Sequence, residues 1–145
     1  MSTTNKPSTL FWVIAVLALL WNLTGVSFYL LDAYASKEML KAMYNPEQLA
    51  YVKAIPAWLT ALYAIATWGG LLGAILLLIR KKWAALLFII STLSVTVQTI
   101  YGLTATNHLD LFGSGQSIVL PLLVIIIGFF LYWWSKKCTA KNWLR

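Results

Sequence analysis

The sequence has 145 residues, of which 61% are hydrophobic and 10% are charged, and its mean hydropathy is +0.78. Soluble domains carry about 25% charged residues, so this composition excludes a water-soluble domain and indicates a single membrane domain. The net charge of +7 does not indicate nucleic-acid binding, because no recognition element accompanies the basic residues.

Four apolar segments without an ionisable side chain follow one another along the chain. A helix needs about 20 residues to cross a hydrocarbon core of ~30 Å, and backbone groups in lipid must be paired within the chain. We therefore predict an all-α membrane protein, a four-transmembrane-helix antiparallel bundle in one domain. The predicted segments are spans 10–31, 57–79, 83–105 and 117–134, an outer amphipathic loop 32–56 and a basic tail 135–145.

Charge is distributed unevenly among the connecting segments. Eight of the eleven basic residues lie before the first span, in the turn 80–82 or in the tail. All four acidic residues lie in the other two loops. Short loops rich in Lys and Arg stay in the cytoplasm, so we predict a cytoplasmic N-terminus, C-terminus and turn 80–82.

The first outer loop is predicted to contain two short amphipathic helices. Met39 and Met43 share an apolar face in the first. Asn45 and Pro46 are typical of a cap and first turn of the second. In the other outer loop, the glycines and serine at 113–115 predict a flexible turn, and Pro121 is expected at the start of the fourth helix.

Small residues form two stripes on the second predicted helix. Gly69 and Gly73 lie on one stripe, and Ala66 and Gly70 lie on the stripe beside it. Small residues let helix backbones approach closely in lipid. These stripes predict a helix-packing face, either within this bundle, which we favour, or between two copies of the chain.

Polar side chains form one stripe on the first helix and one on the third: Asn22, Gly25, Tyr29 and Asp32, and Ser91, Ser94, Gln98 and Tyr101. The amides of Asn22 and Gln98 are costly in lipid unless they are hydrogen-bonded, so they should point inward. One interpretation is a pocket for a neutral solute, with Trp21 and Trp68 as stacking walls. The alternative, which we favour, is interhelical bonding worth about 0.6–2 kcal/mol for each contact. A cavity shared by Asn22 and Gln98 would favour transport, and direct bonding would favour packing.

No catalytic, cofactor or metal site is predicted. The spans contain no ionisable residue, which disfavours an ion-coupled carrier. One histidine, His108, and one cysteine, Cys138, are too few for an intrachain metal cluster. His108 and Asp110 indicate a solvated loop pair, with a metal site or an acid–base pair as the alternatives. We therefore predict that the protein is not an enzyme.

Three segments resemble a family of small uncharacterised bacterial four-helix membrane proteins: Asn5–Trp12, Arg80–Ala84 and Ser135–Lys137. The resemblance covers nearly the whole chain and implies a bacterial inner-membrane protein. Some members carry the label sugar transporter, and the family supplies no catalytic residues. Small multidrug resistance transporters fit worse because the first span lacks their embedded Glu. Claudin-like proteins fit worse because the first outer loop lacks their paired cysteines.

Two functions follow as expectations. The first is a non-catalytic protein that acts by helix–helix association in the lipid bilayer, as an accessory subunit of a larger membrane complex or a small homo-oligomer. The second is a facilitative transporter or channel for a small neutral solute. Four helices rarely enclose a pathway alone, so the second function requires an oligomer.

Overall fold

The computed structural model describes residues 6–144, and within that range all regular secondary structure is helical. In chain order the elements are α1 (Thr9–Tyr34), α2 (Lys37–Met43), α3 (Pro46–Lys53), α4 (Ala57–Leu78), α5 (Ala84–Thr104), α6 (His108–Ser114), a π-helical turn (Gly115–Val119) and α7 (Leu120–Ala140). Asn5 of the first resembling segment and Arg145 of the basic tail lie outside the described residues.

Four helical segments are long and apolar enough to cross a membrane: α1, α4, α5 and the run His108–Ala140. This confirms the prediction of an all-helical protein with four candidate membrane-spanning helices. Two helices are longer than predicted. α1 continues to Tyr34, and α7 continues to Ala140 through most of the predicted tail. A cation such as Lys137 is favourable in the last turn of a helix, where the helix dipole is negative.

Side-chain caps explain where several helices begin. The Phe11 amide donates to Ser8 Oγ at 3.2 Å, ahead of α1. At α3, the Gln48 amide donates to Asn45 Oδ1 at 2.8 Å, and the Asn45 amide donates to Gln48 Oε1 at 3.2 Å. This capping box satisfies two backbone donors that a helix start otherwise leaves unpaired. Two short helices, α2 and α3, therefore lie between α1 and α4.

The prediction of a flexible turn at 113–115 is wrong in its extent. Only Gly113 leaves the helical region, with φ of 82°, and residues on either side of it remain helical. A positive φ costs glycine little because it has no Cβ. Gly113 therefore bends the chain between α6 and the π-helical turn, and Pro121 follows in the first turn of α7.

The four long helices pack in a row in which α1 contacts α4, α4 contacts α5 and α5 contacts α7. α1 and α7 occupy the two ends of this row and are not a closely packed pair. One end of the row, here called the basic end, brings together the start of α1, the segment that follows α7 and the turn 80–82. There the Phe11 ring lies 6.0 Å from the Trp143 ring, and Arg80 Nε donates to the Trp143 carbonyl at 2.8 Å.

The hydrophobic core is concentrated at the basic end, where each long helix contributes. Its buried members include Phe11, Ala15, Ala18, Ala74, Leu77, Phe88, Leu131, Trp134 and Cys138. The opposite end, here called the loop-helix end, joins α3 to the segment around α6. Gln48 Nε2 donates to the Leu111 carbonyl at 2.8 Å, and the Tyr51 and Thr106 hydroxyls lie 3.2 Å apart.

The small residues of α4 lie inside the bundle. Ala66, Gly69, Gly70 and Gly73 are all buried. A Cβ on Gly73 would lie 2.9 Å from the Phe88 ring, and a Cβ on Gly69 would lie 3.7 Å from Ser91 Cβ. The stripes therefore contact α5 of the same chain, and Gly70 also contacts Asn22 of α1.

We expect Gly73→Ala to destabilise the fold, because the added methyl overlaps the ring of Phe88, which is itself buried. The control is Gly25→Ala, whose Cβ would meet its nearest neighbour at an ordinary 3.8 Å. Overpacking of this kind costs about 1–3 kcal/mol. Unfolding of both variants in mixed micelles with increasing dodecyl sulfate measures the difference. Equal stabilities would contradict the close α4–α5 contact.

Candidate binding cavity

A cavity of about 690 Å³ lies among the four long helices, between the core and the loop-helix end. Residues of α1, α4, α5 and α7 line its sides, and residues of α3 and α6 also contribute. Pockets for small organic ligands have volumes of about 300–1,000 Å³ and are mostly apolar with a few polar groups. The size and lining of this cavity therefore suit a small organic molecule.

The cavity is closed at one end by the core. Phe88 and Leu131 line the cavity and also belong to the core cluster at the basic end. At the other end, Tyr51, His108 and Phe112 line the cavity near the loop-helix end. A molecule inside would therefore have the core on one side and an aromatic cluster on the other.

Five of the eight predicted polar-pocket residues line the cavity: Trp21, Asn22, Tyr29, Ser91 and Gln98. Both amides are also hydrogen-bonded to backbone. Asn22 Nδ2 donates to the Ala18 carbonyl at 2.8 Å, and Gln98 Nε2 donates to the Leu59 carbonyl at 3.3 Å. Only the Gln98 bond joins two helices, because Ala18 belongs to α1 itself, and the Asn22 amide oxygen packs against Gly70 of α4. A shared cavity and interhelical bonding therefore occur together at Gln98.

The other three predicted residues lie away from the cavity. Ser94 is 6% exposed and donates to the Ile90 carbonyl at 2.9 Å. Tyr101 packs edge-on against Trp58 at 4.9 Å. Trp68 is 40% exposed, and its ring centroid lies 6.5 Å from that of Tyr29. Trp68 is therefore not a wall of the cavity.

The polar stripe of α5 divides into two rows because three-residue spacing on a helix leaves an angular offset of about 60°. Ser91 and Gln98 are seven residues apart and lie nearly above one another, as do Ser94 and Tyr101. Only the first row lines the cavity. The stripe of α1 does not divide, and its predicted members, from Asn22 to Asp32, all line the cavity.

The Asp32 carboxylate lies on the cavity wall because α1 continues past the predicted end of the first span. The Tyr63 hydroxyl donates to Asp32 Oδ2 at 3.3 Å, and the Tyr29 ring lies 5.2 Å from the Tyr63 ring. Burial raises the pKa of the nearby Tyr44 phenol, and the negative charge of Asp32 adds to this effect. Within residues 6–144, no Lys or Arg and no other acidic residue lines the cavity.

His108 is not paired with Asp110. Its Nδ1 lies 2.5 Å from Ser117 Oγ, and its ring stacks on Phe112 at 4.5 Å with Tyr51 edge-on at 5.5 Å. The sequence carried no signal for the Ser117 contact, because the bend at Gly113 brings these residues together. Over the described part of the chain, no group of three potential metal ligands is present.

Most hydroxyl donors along the cavity are already used. Thr67 Oγ1 donates to the Tyr63 carbonyl at 3.0 Å, Thr92 Oγ1 to the Phe88 carbonyl at 2.7 Å and Thr99 Oγ1 to the Val95 carbonyl at 2.8 Å. Ser91 Oγ likewise donates to the Ala66 carbonyl. Each hydroxyl keeps acceptor capacity after donating its hydrogen. The Trp21 indole, the Tyr29 and Tyr44 hydroxyls and the Gln116 amide are further donors on the wall, so a ligand would meet both donors and acceptors.

Comparisons with protein-family models, with curated proteins and with solved structures give no significant match to the chain. The family resemblance of the sequence therefore stays a prediction.

We expect a cysteine at position 91 to react with a water-soluble thiol reagent much faster than a cysteine at position 94. Ser91 lines the cavity, whereas Ser94 is buried outside it. Thiol modification requires an accessible thiolate. The comparison uses Ser91→Cys and Ser94→Cys in a Cys138→Ser background, because Cys138 is 0% exposed and its replacement removes the native thiol. Similar rates at both positions would contradict a hydrated cavity.

Proposed function

We propose that the chain is a multi-pass protein of a bacterial inner membrane, with its long helices in an antiparallel bundle and its basic end in the cytoplasm. The support is the clustering of Lys and Arg, since short basic segments stay on the cytoplasmic side. The turn 80–82 and the basic residues 136, 137 and 141 belong to this end. α2, α3 and α6 then lie on the outer side, and the cavity lies nearer that side.

We further propose that the protein is non-catalytic and binds a small solute in the cavity as a step in facilitated passage. The observation that carries this proposal is the cavity shared by Asn22 and Gln98. The core cluster at the basic end borders the cavity, so passage across the membrane requires that end to open. The cavity therefore represents one of two access states.

The class of solute is wider than the sequence suggested. The sequence predicts a neutral solute, because the predicted spans carry no ionisable side chain. Asp32 now contributes a carboxylate to the cavity wall, so both uncharged and positively charged molecules remain compatible with its lining. Anions are disfavoured, since no Lys or Arg among residues 6–144 lines the cavity.

A second candidate is association, as an accessory subunit or a small homo-oligomer. It is favoured by the row arrangement of the helices, in which α1 and α7 both border the cavity without packing closely together. A second copy or a larger partner on this side would seal the cavity from lipid. The glycine stripes of α4 are already used within the chain, so such a contact would involve α1 and α7.

Two tryptophan substitutions on α5 test solute binding. Val95 lines the cavity, and Val97 is 46% exposed on the outside of the bundle. We expect Val95→Trp to place an indole in the cavity and expel a bound molecule, whereas Val97→Trp should leave the molecule in place. The measurement is native mass spectrometry of protein extracted gently from its own membrane, in which a retained small molecule adds to the mass.

The same spectra report the oligomeric state. Loss of the added mass in Val95→Trp alone supports the proposal, and a dimer or a co-purified larger protein supports association as well. Absence of any added small-molecule mass in the unsubstituted protein, or its equal retention by both variants, would contradict solute binding in this cavity.

A further inference from the structure

The cavity combines one carboxylate with a wall of aromatic rings. Asp32 is an exposed residue on the cavity wall, and the Tyr63 hydroxyl donates to its Oδ2 at 3.3 Å. Its hydrogen-bond partner is a neutral phenol, and within residues 6–144 it forms no ion pair. A carboxylate on a largely apolar wall attracts a positive charge more strongly than it does in bulk water.

Aromatic side chains surround this part of the cavity. Tyr29, Tyr44 and Tyr63 line it near Asp32, and the Tyr29 and Tyr63 rings meet edge to face at 5.2 Å. Trp21 also lines the cavity but lies about 16 Å further along α1. The face of an aromatic ring carries partial negative charge and attracts cations, most of all quaternary ammonium groups held between several rings. The rings and the carboxylate therefore favour the same kind of ligand.

The hydrogen-bonding groups agree with this preference. Asn22 and Gln98 have each committed an amide hydrogen to a backbone carbonyl, and the threonine hydroxyls donate to their own helices. Each oxygen keeps acceptor capacity, although the Asn22 amide oxygen and Thr92 Oγ1 pack against Gly70 and Gly128. An ammonium group presents N–H donors or positively polarised C–H groups. It therefore needs hydrogen-bond acceptors on the cavity wall and no donors. A carboxylate, phosphate or sulfonate would find no positively charged partner on the described cavity wall.

We propose that the solute bound in this cavity is an organic monocation, an amine or quaternary ammonium compound, with its positive charge at Asp32 and its apolar part directed toward Phe88. The inference rests on the proposed solute-binding function and narrows its substrate class. A metal cation is a poorer fit, because no cluster of three ligand residues occurs within residues 6–144 and hard divalent ions prefer several oxygen ligands.

The test compares two probes that differ in one atom. Choline carries a quaternary nitrogen where 3,3-dimethylbutan-1-ol carries a quaternary carbon, so size and shape match while the charge differs. Binding to the full-length protein in nanodiscs of zwitterionic lipid is measured by saturation-transfer NMR titration, with empty nanodiscs as the blank. We expect choline to bind and the alcohol to bind at least about tenfold more weakly, as loss of a partly desolvated cation–aromatic and charge interaction implies.

Three variants assign the preference to the carboxylate. Asp32→Asn keeps the shape but removes the charge, and it should weaken choline binding by about tenfold or more without affecting the alcohol. Asp110→Asn is the matched control, because both carboxylates are exposed but only Asp32 lines the cavity. Asp32→Glu retains the charge and should retain choline binding, which separates loss of charge from misfolding.

Equal binding of the two probes, or unchanged choline binding in Asp32→Asn, would overturn the cation assignment. So would failure of both probes to bind. The mass-spectrometric comparison of Val95→Trp with Val97→Trp decides separately whether the cavity holds a solute at all. If mass spectrometry finds a retained neutral molecule and the two NMR probes bind equally, the solute-binding function stands and only the assignment of the solute as a cation is rejected.

Discussion

The close contact between α4 and α5 is the constraint on which the rest of the structure depends. Gly69 and Gly73 remove side-chain bulk where α4 meets α5, and the Phe88 ring of α5 fills the space beside Gly73, while Gly70 makes room for Asn22 of α1. In lipid, helices gain no hydrophobic driving force from associating, so small residues and close van der Waals contact must hold them together. With this pair fixed, α1 packs on one side and α7 on the other, and the resulting row leaves a cavity bordered by its two outer helices.

Hydrogen bonding within the bundle then decides the chemistry of that cavity. A polar hydrogen in lipid needs a partner, and the threonines, Ser91, Asn22 and Gln98 find theirs in backbone carbonyls. These bonds satisfy the donors of the named side chains and leave each oxygen with acceptor capacity. Asp32 adds a charge of the same sign as these partial charges, and Tyr63 positions it. The electrostatic character of the site follows from how the helices satisfy their own polar groups.

Much of the fold could be predicted from the sequence because the bilayer imposes simple rules on length, charge and backbone pairing. Local sequence patterns predict the four apolar segments and the helix cap at Asn45. Helical spacing also predicts the polar stripe of α1, which lines the cavity from Asn22 to Asp32.

What could not be predicted depends on contacts between distant segments or on helix length. The predicted first span ended before Asp32, because hydropathy locates the apolar core of a helix and not its last turn. The α5 stripe contained two rows, and only packing against α4 and α7 determines that Ser91 faces the cavity while Ser94 does not. The His108–Ser117 contact depends on the bend at Gly113, a backbone geometry that composition does not specify.

The most direct test of the account is the anomalous scattering from crystals grown with tetraethylarsonium, a permanently charged organic cation that contains a heavy atom. The account predicts one strong anomalous peak inside the cavity, next to Asp32 and the rings of Tyr29 and Tyr63. The absence of an anomalous peak in the cavity would contradict the binding of an organic cation at Asp32. Direct packing of α1 against α7, with no cavity between them, would contradict the binding site itself.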